Sequence, residues 1–209
     1  MVKAGLYLIT GGGGNSLLRF SATGLVLVNG KSADSYRALM SQIRKINKLS
    51  DMPLRAVILT NALDPQAANT ARFAAANVPI VVQANAATHL AGSGAALIPF
   101  DRDYTMKLGG VEVQIKYFGR ANTDADAVVY FPDKKVLAVG DLYSPLAPRM
   151  DAAAGGSLAG WSATLAQVLT FDFEQAVPNE GPIVGRDEVI AFKRQLDALI
   201  EPTPPMRRT

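Results

Sequence analysis

Between Gly119 and Tyr143 the chain reads GRANTDADAVVYFPDKKVLAVGDLY. Two runs rich in β-branched and aromatic residues, AVVYF and KVLAV, flank a polar segment. The spacing predicts a hairpin turning at Pro132 to Lys135. The second strand ends in a glycine-preceded turn that presents Asp141. Immediately upstream, YTMKLGGVEVQIKYFG reads as another hairpin, through Gly109 and Gly110.

Moving outward, the N-terminal part is also β-rich. GLYLIT, NSLLRF and GLVLVNG read as short strands, and Gly11 to Gly14 serve as a hairpin loop. Without the downstream motif of a phosphate loop, that glycine run predicts a turn and not a phosphate site. A helix is expected from about Ala33 to Lys48, with Tyr36, Leu39, Met40, Ile43 and Ile46 at helical spacing and Ser32 as N-cap. PLRAVILT follows as a buried strand, then the loop TNALDPQAAN at Thr60 to Asn69, a helix, and the strand VPIVVQA. Asp64 and Pro65 read as the N-cap and first position of that helix. Ser157 caps a later helix carrying Leu158, Trp161, Leu165 and Val168. The last helix, Asp187 to Ile200, sets Val189, Phe192, Leu196 and Leu199 on one stripe. Two β-rich blocks that each give way to helices are compatible with an α+β, four-layer αββα sandwich. Periodicity alone leaves a three-layer α/β arrangement open. Residues 1–201 are expected to form one domain, and the proline-rich 202–209 a flexible tail.

Composition narrows the chemistry. Hydrophobic residues are 49% of the chain and charged residues 19%, which suits a folded core and excludes a disordered chain. The net charge of +3 comes from scattered basic residues, so no nucleic-acid footprint is read. With no cysteine, disulfides, thiolate metal sites and a cysteine nucleophile are all excluded. No apolar run approaches the ~18 residues of a membrane span. The chain opens on the strand-like AGLYLIT, a start compatible with a soluble, extracytoplasmic protein whose upstream signal segment is absent here.

Several stretches together resemble the metallo-β-lactamase-fold hydrolases. That family writes the Gly119–Tyr143 region as G-x-x-H-T-x-x-D, a strand, a turn and G-D. LRAVILTNALDPQAAN resembles the strand and loop that the family writes T-H-x-H-x-D-H. GLVLVNG resembles its early strand ending in V-D, and AVPNEGPIVG its P-G-H-G-P loop. The resemblance runs over essentially the whole chain and implies the αββα sandwich. It also implies where metal ligands would stand. The first loop's two zinc histidines become Asn61 and Leu63, and the aspartate–histidine pair for a second metal becomes Pro65 and Gln66. The third histidine becomes Asn122, the bridging aspartate is kept as Asp141, and the final histidine becomes Glu180. The early strand's aspartate is Asn29.

Zinc sites need three or four protein ligands, chiefly imidazole or thiolate. The only histidine, His89, lies outside these loops, so a family-type dizinc centre and zinc-dependent hydrolysis are not expected. Asp141 and Glu180 are the candidate catalytic residues. They are expected to converge and repel unless Arg149, Arg186 or backbone N–H groups intervene. Asn61, Gln66, Asn122, Asp141 and Glu180 all present oxygen, so a rebuilt Ca²⁺ or Mg²⁺ site is the minor alternative. Asp124 or Asp126 is expected to bracket the altered third motif. His89 reads as a solvated or hydrogen-bonded structural histidine to which the sequence assigns no partner, and Trp161 and Phe192 read as core. The leading expectation is a non-catalytic binding domain for a small molecule or protein, using the inherited cleft. Alternatives are a remodelled hydrolase, with a hard cation or an Asp/Glu acid–base pair, and an interaction subunit or homodimer.

Overall fold

Along Ala127–Phe131 (β9), Val129 and Phe131 point into one hydrophobic cluster while Val128 and Tyr130 point into another. A strand buried on both faces needs a cover on each, and the whole architecture follows from that requirement. The computed structural model describes residues 1–64 and 66–200. The first sheet orders β1 (Leu6–Ile9), β2 (Ser16–Ser21), β3 (Gly24–Val28), β4 (Leu54–Ile58), β5 (Ile80–Gln83) and β6 (Leu97–Phe100) in sequence. Its first three strands are antiparallel and the rest parallel. The second sheet runs β11 (Gln175–Pro178), β10 (Val136–Gly140), β9, β8 (Val111–Tyr117) and β7 (Asp103–Leu108), with only β10 and β11 parallel.

The inner faces meet through Leu17, Val26, Val28, Ile58 and Val81 on one side and Val113, Ile115, Val129, Phe131 and Val177 on the other. Helices α1 (Tyr36–Ile46), α2 (Thr70–Ala75) and α3 (Ala84–His89) cover the first sheet through Leu39, Ile43, Phe73 and Ala86. Helices α4 (Leu158–Val168) and α5 (Arg186–Ile200) cover the second through Trp161, Leu165, Val189, Phe192 and Leu196. The order of layers is αββα, and the three-layer alternative falls away.

The two expected hairpins form. Leu108 pairs with Val111 across Gly109 and Gly110, both at positive φ, the geometry a tight two-residue turn requires. Phe131 pairs with Val136 across Pro132–Lys135. Ser157 caps α4 by accepting from Gly160 N–H at 3.1 Å. Other expectations need correction. The helix at 33–48 is a 3₁₀ turn over Ala33–Ser35 followed by α1, and no Ser32 side-chain cap forms. The helix after TNALDPQAAN starts only at Thr70, so Asp64 is not its cap. Residues 61–64 and 66–69 form no helix or strand, and their side chains bond elsewhere. Asn69 donates to the carbonyls of Gly30, Lys31 and Ser32. Leu199 is 57% exposed and leaves the α5 stripe. Pro65 and the tail 202–209 lie outside the described residues.

Candidate functional site

The ends of β3, β4, β10 and β11 and the loop entering β9 converge on one edge of the sandwich. At Gly140 the end of β10 passes close to Thr60, just past the end of β4. A Cβ there would lie 2.9 Å from Thr60 Oγ1 and 3.0 Å from Thr60 Cβ, and its φ is +55°. Glycine therefore lets β10 deliver Asp141 beside the β4 loop.

Asp141 is half-buried and accepts hydrogen bonds at both oxygens. Its Oδ2 accepts from Asn61 Nδ2 at 2.8 Å and Gln66 Nε2 at 2.9 Å, and its Oδ1 accepts from Asn179 Nδ2 at 3.0 Å. The expected partners, Arg149 and Arg186, do not reach it. Arg186 donates to the carbonyls of Phe171 and Leu169, while Arg149 has no ion-pair partner among the described residues. Behind Asn179 stands Asn29, whose Nδ2 donates to Asn179 Oδ1 at 3.0 Å and whose Oδ1 accepts from Thr60 N–H and Oγ1. Asn29 sits at φ +64°, in the left-handed region that asparagine tolerates.

Asn61 Nδ2 also donates to Asp126 Oδ1 at 3.0 Å. Asp126 accepts the Thr123 N–H as well, so it is the residue that brackets the altered third motif. Its burial raises its pKa to about 6, an effect that the Asn61 and Thr123 hydrogen bonds oppose and the Asp141 charge reinforces. Carboxylates do repel here, but across Asn61, between Asp126 and Asp141.

Glu180 is exposed and makes no hydrogen bond to Asp141, though both line a recess of about 170 Å³ with Asn122, Tyr143, Arg149 and Trp161. The Asn122 side chain is buried, and its Oδ1 has no partner among the described residues. Gln66 Oε1 is likewise buried and has no partner among the described residues. Leu63 donates its N–H to Asn61 Oδ1 at 3.1 Å and lines two adjoining recesses with its side chain. The partner of His89 is Asp124, whose Oδ1 lies 3.3 Å from His89 Nε2. Among the described residues, no three His, Cys, Asp or Glu side chains gather closely enough to hold a metal ion. Sequence reasoning missed Asn179. The signal lay in VPNEGP, where it directly precedes Glu180 at the end of a strand.

This architecture is the metallo-β-lactamase fold. The chain superposes on DIM-1 metallo-β-lactamase with a TM-score of 0.82 and 17% identity, over 95% of this chain and 96% of that one. A metallo-β-lactamase from Pontibacter korlensis gives 0.78 at 21% identity, over 92% and 93%. FIM-1 from Pseudomonas aeruginosa, in its mono-zinc form, gives 0.76 at 21%, over 90% and 85%. No protein-family model and no curated protein sequence matches the chain. The likeness at these identities is one of fold. No helix among the described residues is long and apolar enough to cross a membrane.

Proposed function

We propose that this chain uses the metallo-β-lactamase fold without its zinc centre, as a binding domain for a small polar molecule held beside Asp141. The observation that carries the reading is the set of three amide donors on one carboxylate. A metal bridged by Asp141 needs lone pairs aimed at the ion, whereas Asn61, Gln66 and Asn179 aim N–H groups at the aspartate itself. These donors offset the carboxylate charge as a cation would. The residues present therefore do not suit zinc. The same orientation disfavours Ca²⁺ or Mg²⁺, since it turns the Asn61 oxygen to Leu63 N–H.

The acid–base alternative pairs Asp141 with Glu180, and Glu180 is exposed and makes no hydrogen bond to Asp141 among the described residues. What stays free is the recess: the Asn122 carboxamide oxygen and the Arg149 guanidinium, neither with a partner among the described residues, and the exposed Glu180 offer polar contacts around a small guest.

Elemental analysis of the purified chain, dialysed in turn against Zn²⁺, Ca²⁺ and Mg²⁺, tests the proposal beside Asp141→Ala. Metal far below one ion per chain in every case is expected, with no β-lactam hydrolysis. Near-stoichiometric metal that disappears in the Asp141 variant overturns it. Trp161, the only tryptophan, lines the recess and supplies a fluorescence readout for small polar guests.

A further inference from the structure

A second cavity, of about 370 Å³, is not lined by Asp141. Leu63, Ala125, Ala153 and Ala154 form its apolar wall. An apolar cavity of about 150 Å³ holds a benzene ring, so this one has room for a ring and a short arm. Its polar groups are His89, Asp124, Asp151 and Thr123, and no lysine or arginine is among the described residues that line it. On a chain of net charge +3, this wall is anionic.

Both carboxylates are held in place yet keep acceptor capacity. The Asp124 carbonyl accepts from Asn85 Nδ2 and Tyr117 Oη, both at 2.7 Å, and its N–H donates to the Ala154 carbonyl at 2.8 Å. Its carboxylate meets only His89 Nε2 among the described residues, at 3.3 and 3.4 Å, a long, forked contact. Asp151 gives one oxygen to the Ala154 N–H at 3.0 Å. Thr123 Oγ1 is occupied by the Ala125 N–H.

We propose that this cavity is a binding site for a small primary amine with an apolar body, its ammonium placed between Asp124 and Asp151 and its ring against Leu63 and the alanines. Charge complementarity selects the class. A carboxylate guest would meet two carboxylates and no lysine or arginine among the described lining residues, and a neutral guest would leave them unused. The site does not depend on what occupies the recess beside Asp141.

His89 is the only histidine, so its ring Cε1–H gives a single NMR signal at the rim of the cavity. Benzylammonium, benzyl alcohol and benzoate are titrated at constant pH against the full chain. The amine is expected to shift that signal saturably and to bind about tenfold more tightly than either analogue. Asp124→Asn and Asp151→Asn each weaken the amine about fivefold while keeping side-chain shape. Ala154→Leu, which fills the cavity and leaves both carboxylates, abolishes the shift. A shift that survives Ala154→Leu, analogues that bind as tightly as the amine, or no saturable shift overturns the proposal.

Discussion

Asn61 donates to Asp141 at 2.8 Å from the same amide nitrogen that donates to Asp126 at 3.0 Å. One neutral side chain thus keeps two carboxylates compatible within a buried space. Asn61→Ala removes a donor from both, and a buried carboxylate that loses a hydrogen bond costs about 2–3 kcal/mol. The variant is expected to lose that much in urea unfolding at pH 7. A loss under about 0.5 kcal/mol, the size of an ordinary surface substitution, would show that the network contributes little.

Asp126 sets the pH dependence. Its folded pKa of about 6 lies above the ordinary 3.8, so the folded state holds the proton more tightly than the unfolded chain. The associated stability is fully present below about pH 3.8 and is lost as pH rises through about 6. The change approaches 3 kcal/mol at roughly 1.4 kcal/mol per unit. Asp126→Asn removes this component. Wild-type stability minus variant stability, followed by urea midpoints from pH 4 to 7, is expected to fall with pH, and a flat difference refutes the assignment.

Lys31 gives the opposite sign. It is buried, donates to the carbonyls of Ile9 and Gly14, and has its pKa lowered to about 8 from 10.5 because burial penalises the ammonium. Its contribution is fully present above about pH 10.5 and is lost as pH falls through 8. The wild type should gain stability from pH 8 to 10 relative to Lys31→Met. Parallel curves for the two proteins would rule this out.

Gly140→Ala tests the seam between the sheets. An added Cβ at φ +55° meets Thr60 at 2.9 Å, so backbone strain and overlap act together. A loss of about 2–3 kcal/mol is expected, read as a lower Tm. Gly110→Ala, with open space around its Cβ but φ +79°, carries only the backbone component and should lose less.

The sequence made the layers legible because both periodicities are strong in it. Val128 to Phe131 alternate between cores, and Val189, Phe192 and Leu196 recur at helical spacing. It also placed Asn61, Gln66 and Asp141 in one site through their motif positions. Which atom of each amide faces inward was not legible, because carboxamides offer donors and acceptors at equal cost and only the Asp141 carboxylate decides between them. Asp64 misled because an Asp-Pro pair is a sound local signal for a helix start. The tertiary bonds of Asn69 to residues 30–32 override it and move the start to Thr70. The His89–Asp124 contact joins residues 35 apart in sequence through loop geometry, for which no periodicity exists.

The Asp141 cluster also has an order of assembly. Asn29 and Asn179 are separated by 150 residues, Asn61 and Asp141 by 80, and Asn179 and Asp141 by 38. During synthesis the first sheet is complete once Phe100 has emerged, yet its polar edge still lacks most of its partners. The cluster closes only when β11 pairs with β10 and carries Asn179 into place. Contacts of such long range form late, so a ribosome stalled before β11 would present a nascent chain in which Asn29 Nδ2 and Asp141 Oδ1 still lack Asn179.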